Sequence, residues 1–156
     1  MLAFEGKNPG ETFREYIPAG EKLESWTRFA SVRQYPDQDD PMKLAKNMAQ
    51  LLAKQNPEFR NAIVRNPKTG DVMIDFIMWP ENNKFVEFNV FIFRKKEAGG
   101  VAAQQYAVRA YDKQADFMKD LKSLRDKLCP LMGKDGLTLH EAAKGDSGRS
   151  GETTGR

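Results

Sequence analysis

Two acidic residues, Asp75 and Glu87, each interrupt an otherwise apolar strand-like segment. A buried pair of carboxylates can supply the acid and the base of a hydrolytic reaction. The pair predicts a carboxylate-dependent hydrolase only if both side chains line one cleft. The alternative, which we favour, is structural pairing with an arginine such as Arg65 or Arg109.

The other residues with chemical potential favour structural roles. Asp37, Asp39 and Asp40 are crowded together, but they lack the spacing of a calcium loop and precede Pro41, which predicts a helix N-terminus. The sole histidine, His140, lies in a polar C-terminal tail, where no histidine-based site can assemble. The sole cysteine, Cys129, has no neighbouring base, so we interpret it as buried and inert. We therefore predict no catalytic residue, no metal site and no cofactor.

Charge and glycine patterns exclude further classes. The 25 basic and 22 acidic residues give a net charge of +3 and are interspersed, whereas nucleic-acid binding proteins concentrate basic residues on one face. The glycines at 99 and 100 and the turn at 18–21 lack the lysine and hydroxyl residues of phosphate-binding loops. We predict no nucleic-acid partner.

The spacing of apolar residues predicts an α+β fold. Apolar positions at helical spacing predict one helix of roughly 14 residues that begins at Pro41 and is stopped by Asn56-Pro57. They predict a second helix that is capped by Asp112 and ended by Cys129-Pro130. Apolar and β-branched segments predict six strands, at residues 12–17, 26–35, 61–65, 71–79, 85–93 and 101–111. The order β-β-α-β-β-β-β-α predicts an antiparallel six-stranded meander-type sheet flanked by helices as an α/β/α sandwich.

Composition divides the chain into three parts. Residues 1–11 carry Gly and Pro and predict a flexible lead-in, residues 12–132 predict one α+β domain, and residues 133–156 predict a disordered tail. No apolar run is long enough to cross a membrane, and the first residues lack the pattern of a secretory signal. The chain as given predicts a cytoplasmic protein, or a periplasmic or exported one if a signal peptide was removed.

The segment REYIPAGEKLESWTRFASV and the element order resemble the PsbP-like superfamily of α/β/α sandwiches. The opening of small bacterial proteins with the pattern EY-x-P-x-GE-x-x-x-x-W-T is matched by Glu15, Tyr16, Pro18, Gly20, Glu21, Trp26 and Thr27. The resemblance covers residues 12 to 130. It implies a binding role, since known members include a photosystem accessory protein and a factor acting on a small GTPase. The superfamily has no shared catalytic set to transfer to this chain.

These observations predict a non-catalytic protein-binding or accessory module. A sheet edge, or the loops at 18–26 and 80–84, would contact the partner. The side chains proposed for that contact are Tyr16, Glu21, Trp26 and Trp79. An inhibitor or immunity-type protein fits the same features, and the hydrolase is the alternative from another class. The sequence leaves open the partner's identity and the oligomeric state.

Overall fold

One antiparallel sheet of seven strands organises the molecule. The computed structural model describes residues 1–56, 59–80 and 84–135. In chain order the strands are β1 (Leu2–Asn8), β2 (Glu11–Tyr16), β3 (Arg28–Tyr35), β4 (Arg60–Arg65), β5 (Val72–Met78), β6 (Val86–Lys95) and β7 (Val101–Ala110). The helices are α1 (Pro41–Gln55) between β3 and β4 and α2 (Gln114–Asp135) after β7. The α+β class and the antiparallel sheet are thus confirmed, with seven strands rather than six.

The sheet consists of two meanders joined side by side. Its strand order is β1-β2-β3-β7-β6-β5-β4, so β3 pairs with β7 although four elements separate them in sequence. Helix α1 carries the chain from β3 to β4, which forms the far edge of the sheet. Asp40 caps this helix by accepting hydrogen bonds from the backbone N–H groups of Met42 and Lys43, as the acidic run predicted.

The helices cover opposite faces of the sheet. Phe91 and Phe93 of β6 pack in the cluster that includes Ala45 of α1, whereas Phe88, Val90 and Ile92 pack in the cluster that includes Met132 of α2. Strand β6 is buried on both faces from Val86 to Phe93, and its side chains there are apolar except for Glu87 and Asn89. Each fully buried phenylalanine stabilises the fold by about 2–3 kcal/mol.

Two boundaries differ from the sequence expectations. Residues 1–11, predicted to be a flexible lead-in, form β1 and the start of β2. The Pro9-Gly10 pair that suggested a loose segment makes the turn between these strands, where Gly10 has φ +75°. Helix α2 continues through Pro130 to Asp135 instead of ending at Cys129. The predicted tail therefore begins inside the helix, and its residues 136–156 lie outside the described residues.

Candidate functional site: an open trough between β4 and α2

An open trough lies on the α2 side of the sheet, over the parts of β4 and β5 that α2 leaves uncovered. It consists of two adjoining depressions, of about 650 Å³ and about 230 Å³, which share Asp75 and Arg125. The larger lies beside Val64 to Pro67 and the smaller beside Arg60 to Ala62. The apolar side chains of the larger depression are Val64, Pro67, Met73, Ile92, Cys129 and Pro130.

The trough forms here because α2 packs mainly on β6, with further contacts to β7. Its apolar stripe, which includes Phe117, Leu121, Leu124 and Leu128, packs with Phe88, Val90 and Ile92 of β6. Strand β5 therefore forms the floor of the trough, and β4 forms its outer wall. Val64 of β4 is 58% exposed, so its aliphatic side chain is open to solvent on this wall.

The ion pair between Asp75 and Arg125 separates the two depressions. Arg125 donates from Nε to Oδ1 and from Nη2 to Oδ2, each at 2.8 Å, a bidentate geometry. Asp75 is buried on β5, whereas the Arg125 side chain on α2 is 44% exposed. The hydrogen bonds and the charge of Asp75 raise the pKa of Arg125. Both carboxylate oxygens therefore have a fixed cationic partner.

Cys129 lines the trough one turn of α2 beyond Arg125. Its Sγ lies 4.0 Å from Oδ2 of Asp75. Burial, and next the charge of Asp75, raise the pKa of the Cys129 thiol to about 11. The thiol is therefore protonated at neutral pH and is a poor nucleophile. Cys129 is half-buried on the wall of the trough, not buried as the sequence predicted.

The second carboxylate, Glu87, lies on the opposite face of the sheet. Asp75 on β5 is the cross-strand neighbour of Val90 on β6, and Val90 faces α2. Glu87 is also on β6, an odd number of residues from Val90, so its side chain faces the opposite side of the sheet, which is the α1 side. Arg109 donates to Oε2 of Glu87 from Nε at 2.9 Å and from Nη2 at 2.7 Å. Asp75 and Glu87 therefore do not share the cleft that the two-carboxylate hydrolase requires, and each is bonded to an arginine.

A buried polar network extends from Glu87 across three strands. Asn89 donates to Glu87 at 2.8 Å, Gln105 donates to Asn89 at 2.8 Å, and Ser31 donates to Gln105 at 2.9 Å. Ser31 and Asn89 are almost fully buried, so each hydrogen bond offsets the cost of removing a polar group from water. The network joins β6, β7 and β3 and is part of the core.

Further along β3, Arg33 continues the polar face towards β2. It donates to Glu11 at 2.9 Å and to Glu15 at 3.2 Å. Burial tends to raise the pKa of Glu11, but hydrogen bonds from Arg33 and Tyr35 outweigh burial and leave the pKa lowered. Glu15 of the opening motif thus has a structural role on β2.

Most residues of the opening motif have a structural role in the loop before β3. The carboxylate of Glu21 accepts hydrogen bonds from the backbone N–H of Thr27 at 2.6 Å and from its hydroxyl at 2.7 Å. These bonds lower the pKa of Glu21. They close the loop so that the ring of Trp26, which is 6% exposed, lies 3.7 Å from Cζ of Arg109. Gly20 has φ +86°, a conformation that favours glycine.

The four side chains predicted to contact a partner do not form one surface. Trp26 is in the core on the α1 side, and Glu21 is engaged with Thr27. Tyr16 is half-buried and lines a depression of about 210 Å³. Tyr106 lines the same depression and packs with the apolar cluster under α2, so this depression is on the α2 side of the sheet. Trp79 is half-buried after β5, and its carbonyl accepts from the Asn56 side chain. Of the predicted loop at 80–84, residues 81–83 lie outside the described residues.

Sequence reasoning named Asp75 but missed the trough around it. Arg125 is 50 residues from Asp75, and the predicted partners were Arg65 and Arg109. One signal was present: Arg125 follows Leu121 by four residues and precedes Cys129 by four, which places a cation beside the apolar stripe of the helix. An acidic residue in an apolar strand and a basic residue beside the apolar stripe of a helix together indicate an ion pair between the strand and the helix.

Two further features of the described residues bear on function. No group of three or more His, Cys, Asp or Glu side chains in residues 1–56, 59–80 and 84–135 is arranged to hold a metal ion. Neither α1 nor α2, the helices of this part of the chain, combines the length and apolar character that crossing a bilayer requires.

Comparison with known proteins assigns the chain to a family without assigning an activity. A protein-family model matches residues 1–134, and the chain belongs to that family. The match begins at β1 and extends into the last turn of α2, so it includes every strand of the sheet. A search of curated proteins found no match.

Proposed function

We propose that this family member is a non-catalytic protein-binding or accessory module whose partner docks in the trough between β4 and α2. One observation carries the proposal. An apolar depression of about 650 Å³ lies open beside the edge strand β4, with an aliphatic side chain, Val64, exposed on its wall. Concave, mostly apolar surfaces with a few fixed polar groups are the usual form of binding sites.

The polar groups in the trough support binding rather than catalysis. Both oxygens of Asp75 accept hydrogen bonds from Arg125, which fixes the orientation of this carboxylate in the trough. The Cys129 thiol is protonated at neutral pH. These groups are suited to orienting a partner by hydrogen bonds.

The resemblance of the opening motif to PsbP-like proteins also supports this proposal, since those members work by binding larger partners. In this chain the motif residues Glu21, Trp26 and Thr27 hold a loop on the α1 side. The proposed contact surface is therefore separate from the motif that carries the resemblance.

A matched pair of substitutions tests the proposed surface. Val64 on β4 and Leu51 on α1 are exposed aliphatic residues of nearly equal accessibility, 58% and 60%. Val64→Glu places a charge in the trough, and Leu51→Glu places the same charge on a helix that packs against the other face. The full chain and both variants are used to capture proteins from lysate and envelope fractions, with identification by mass spectrometry.

We expect one stoichiometric partner that the unaltered chain and Leu51→Glu retain and that Val64→Glu loses by at least tenfold. A photo-crosslinking residue at position 64 should become joined to the same partner, and one at position 51 should not. Equal capture by both variants, or crosslinking from position 51 alone, would exclude the trough as the docking surface.

A further inference from the structure

Strand β4 has a free backbone edge beside the trough. Its only sheet neighbour in the described part of the chain is β5. The N–H of Asn66 donates to the carbonyl of Asp71 at 2.8 Å, so this pair belongs to the hydrogen-bonded set of the β4–β5 ladder. Because that set alternates along antiparallel strands, the backbone groups of Asn61, Ile63 and Arg65 point away from β5.

The free edge and the trough have matching lengths. Strand β4 has six residues, which corresponds to about 20 Å at about 3.4 Å per residue. The smaller depression adjoins its first half and the larger its second half and the following turn. An added strand would therefore direct every second side chain towards apolar surface along its whole length.

The charges around this edge favour an acidic occupant. Asp71, Asp75 and Asp126 are paired with Arg94, Arg125 and Lys122, respectively. In contrast, the exposed Arg60, Arg65 and Lys68 form no ion pair with the rest of the described residues. The rim of the trough at β4 and its turn thus carries cations that no described carboxylate neutralises, and such cations attract carboxylates.

We propose that the occupant is an extended segment of a partner protein that pairs with β4 as an eighth strand. Its aliphatic side chains occupy the trough, and its Asp or Glu side chains pair with Arg65 and Lys68. Main-chain hydrogen bonds at an exposed edge supply affinity, and pockets for alternate side chains supply specificity. This inference rests on the proposed function, because it specifies what the proposed surface binds.

Selection from a displayed library of random dodecapeptides on the immobilised full chain tests the chemistry. We expect enrichment of sequences that alternate Val, Ile or Leu with Asp or Glu. Arg65→Glu should weaken binding of a selected peptide at least tenfold, and a peptide with its acidic residues changed to lysine should recover binding to this variant. Lys46→Glu, the same charge change at an exposed position of α1, is the control and should have no effect.

Hydrogen exchange of the complex with a selected peptide tests strand addition. The amides of Asn61, Ile63 and Arg65 should exchange rapidly in the free protein and at least tenfold more slowly when the peptide is bound. Ile63→Pro removes one outward N–H without removing a donor to β5, so it should abolish binding while the circular dichroism spectrum is unchanged.

Three outcomes would overturn the inference: no enriched peptide, enriched peptides without acidic residues, or protection confined to α2. If a folded partner is still lost with Val64→Glu under any of these outcomes, the proposed function stands and only the extended-peptide inference fails. If Val64→Glu has no effect on partner capture, the proposed function itself fails.

Discussion

Arg109 joins a buried carboxylate, Glu87, to two aromatic side chains of the core. Its guanidinium donates twice to Glu87 and lies between two aromatic rings, 3.7 Å from the centroid of Trp26 and 3.9 Å from that of Phe85. Only arginine combines a planar cation that stacks on rings with several fixed donors. The loop that carries Trp26 is therefore held to the sheet through the same side chain that neutralises a buried acid.

Removing this cation should be costly because it leaves a buried charge without a partner. We expect Arg109→Met to lower the free energy of unfolding by about 3 kcal/mol, measured by urea denaturation. Arg14→Met is the control. Arg14 pairs with Glu5 on the surface, where solvent screens the charges, so this substitution should change the free energy of unfolding much less. Equal losses for the two variants would contradict the assignment of Glu87 as a buried acid that depends on Arg109.

At the scale of elements, local patterns predicted most of the structure. The six predicted strands and both helices are present with shifted ends, because alternation and helical spacing reflect burial directly. The missed strand, β1, is largely exposed, and after Phe4 its residues are polar or glycine, so its sequence shows no sustained alternation of apolar residues. The trough could not be predicted, since it depends on where α2 lies on the sheet, and no local pattern specifies that.

Two glycines at the missed boundaries should respond oppositely to the same substitution. Gly10 has φ +75° in the turn between β1 and β2, so Gly10→Ala should destabilise the protein by about 1 kcal/mol through backbone strain. Gly133 lies in the last turns of α2, where an added Cβ would meet only the end of Met73 at 3.8 Å. Gly133→Ala should therefore stabilise the protein by about 0.5–1 kcal/mol.

Thermal and urea unfolding of both variants measure these changes. A stabilising effect of Gly10→Ala would mean that residues 1–11 are a loose lead-in after all. A neutral or destabilising effect of Gly133→Ala would mean that α2 ends near Pro130, as the sequence suggested.

In the whole molecule, two meanders of unequal cover share one sheet. The half that contains β4 to β6 has helix α1 on one face and α2 over part of the other, whereas β1 and β2 carry no helix contact of comparable extent. The polar network from Ser31 to Glu87 crosses the seam between β3 and β7 and ties the halves together. A buried network of this kind favours one register of the strands, because a shift of one strand along its neighbour would leave several polar groups without hydrogen-bond partners.

This unequal cover predicts a gradient of local stability across the sheet. The amides of β6 and β7 should exchange only through global unfolding, because β6 is buried on both faces and β7 has a hydrogen-bonded strand on each side. Among the described residues β1 has β2 as its one neighbouring strand, and its Leu2 and Phe4 are each 48% exposed, so little apolar area resists its separation from β2. Native-state hydrogen exchange at increasing denaturant should show β1 opening several kcal/mol below the global free energy of unfolding. If the amides of β1 and β6 instead exchange with the same free energy of opening, the sheet unfolds as one cooperative unit. The edge of β4 would then belong to a rigid surface, and a partner strand could pair with it without rearrangement of the sheet.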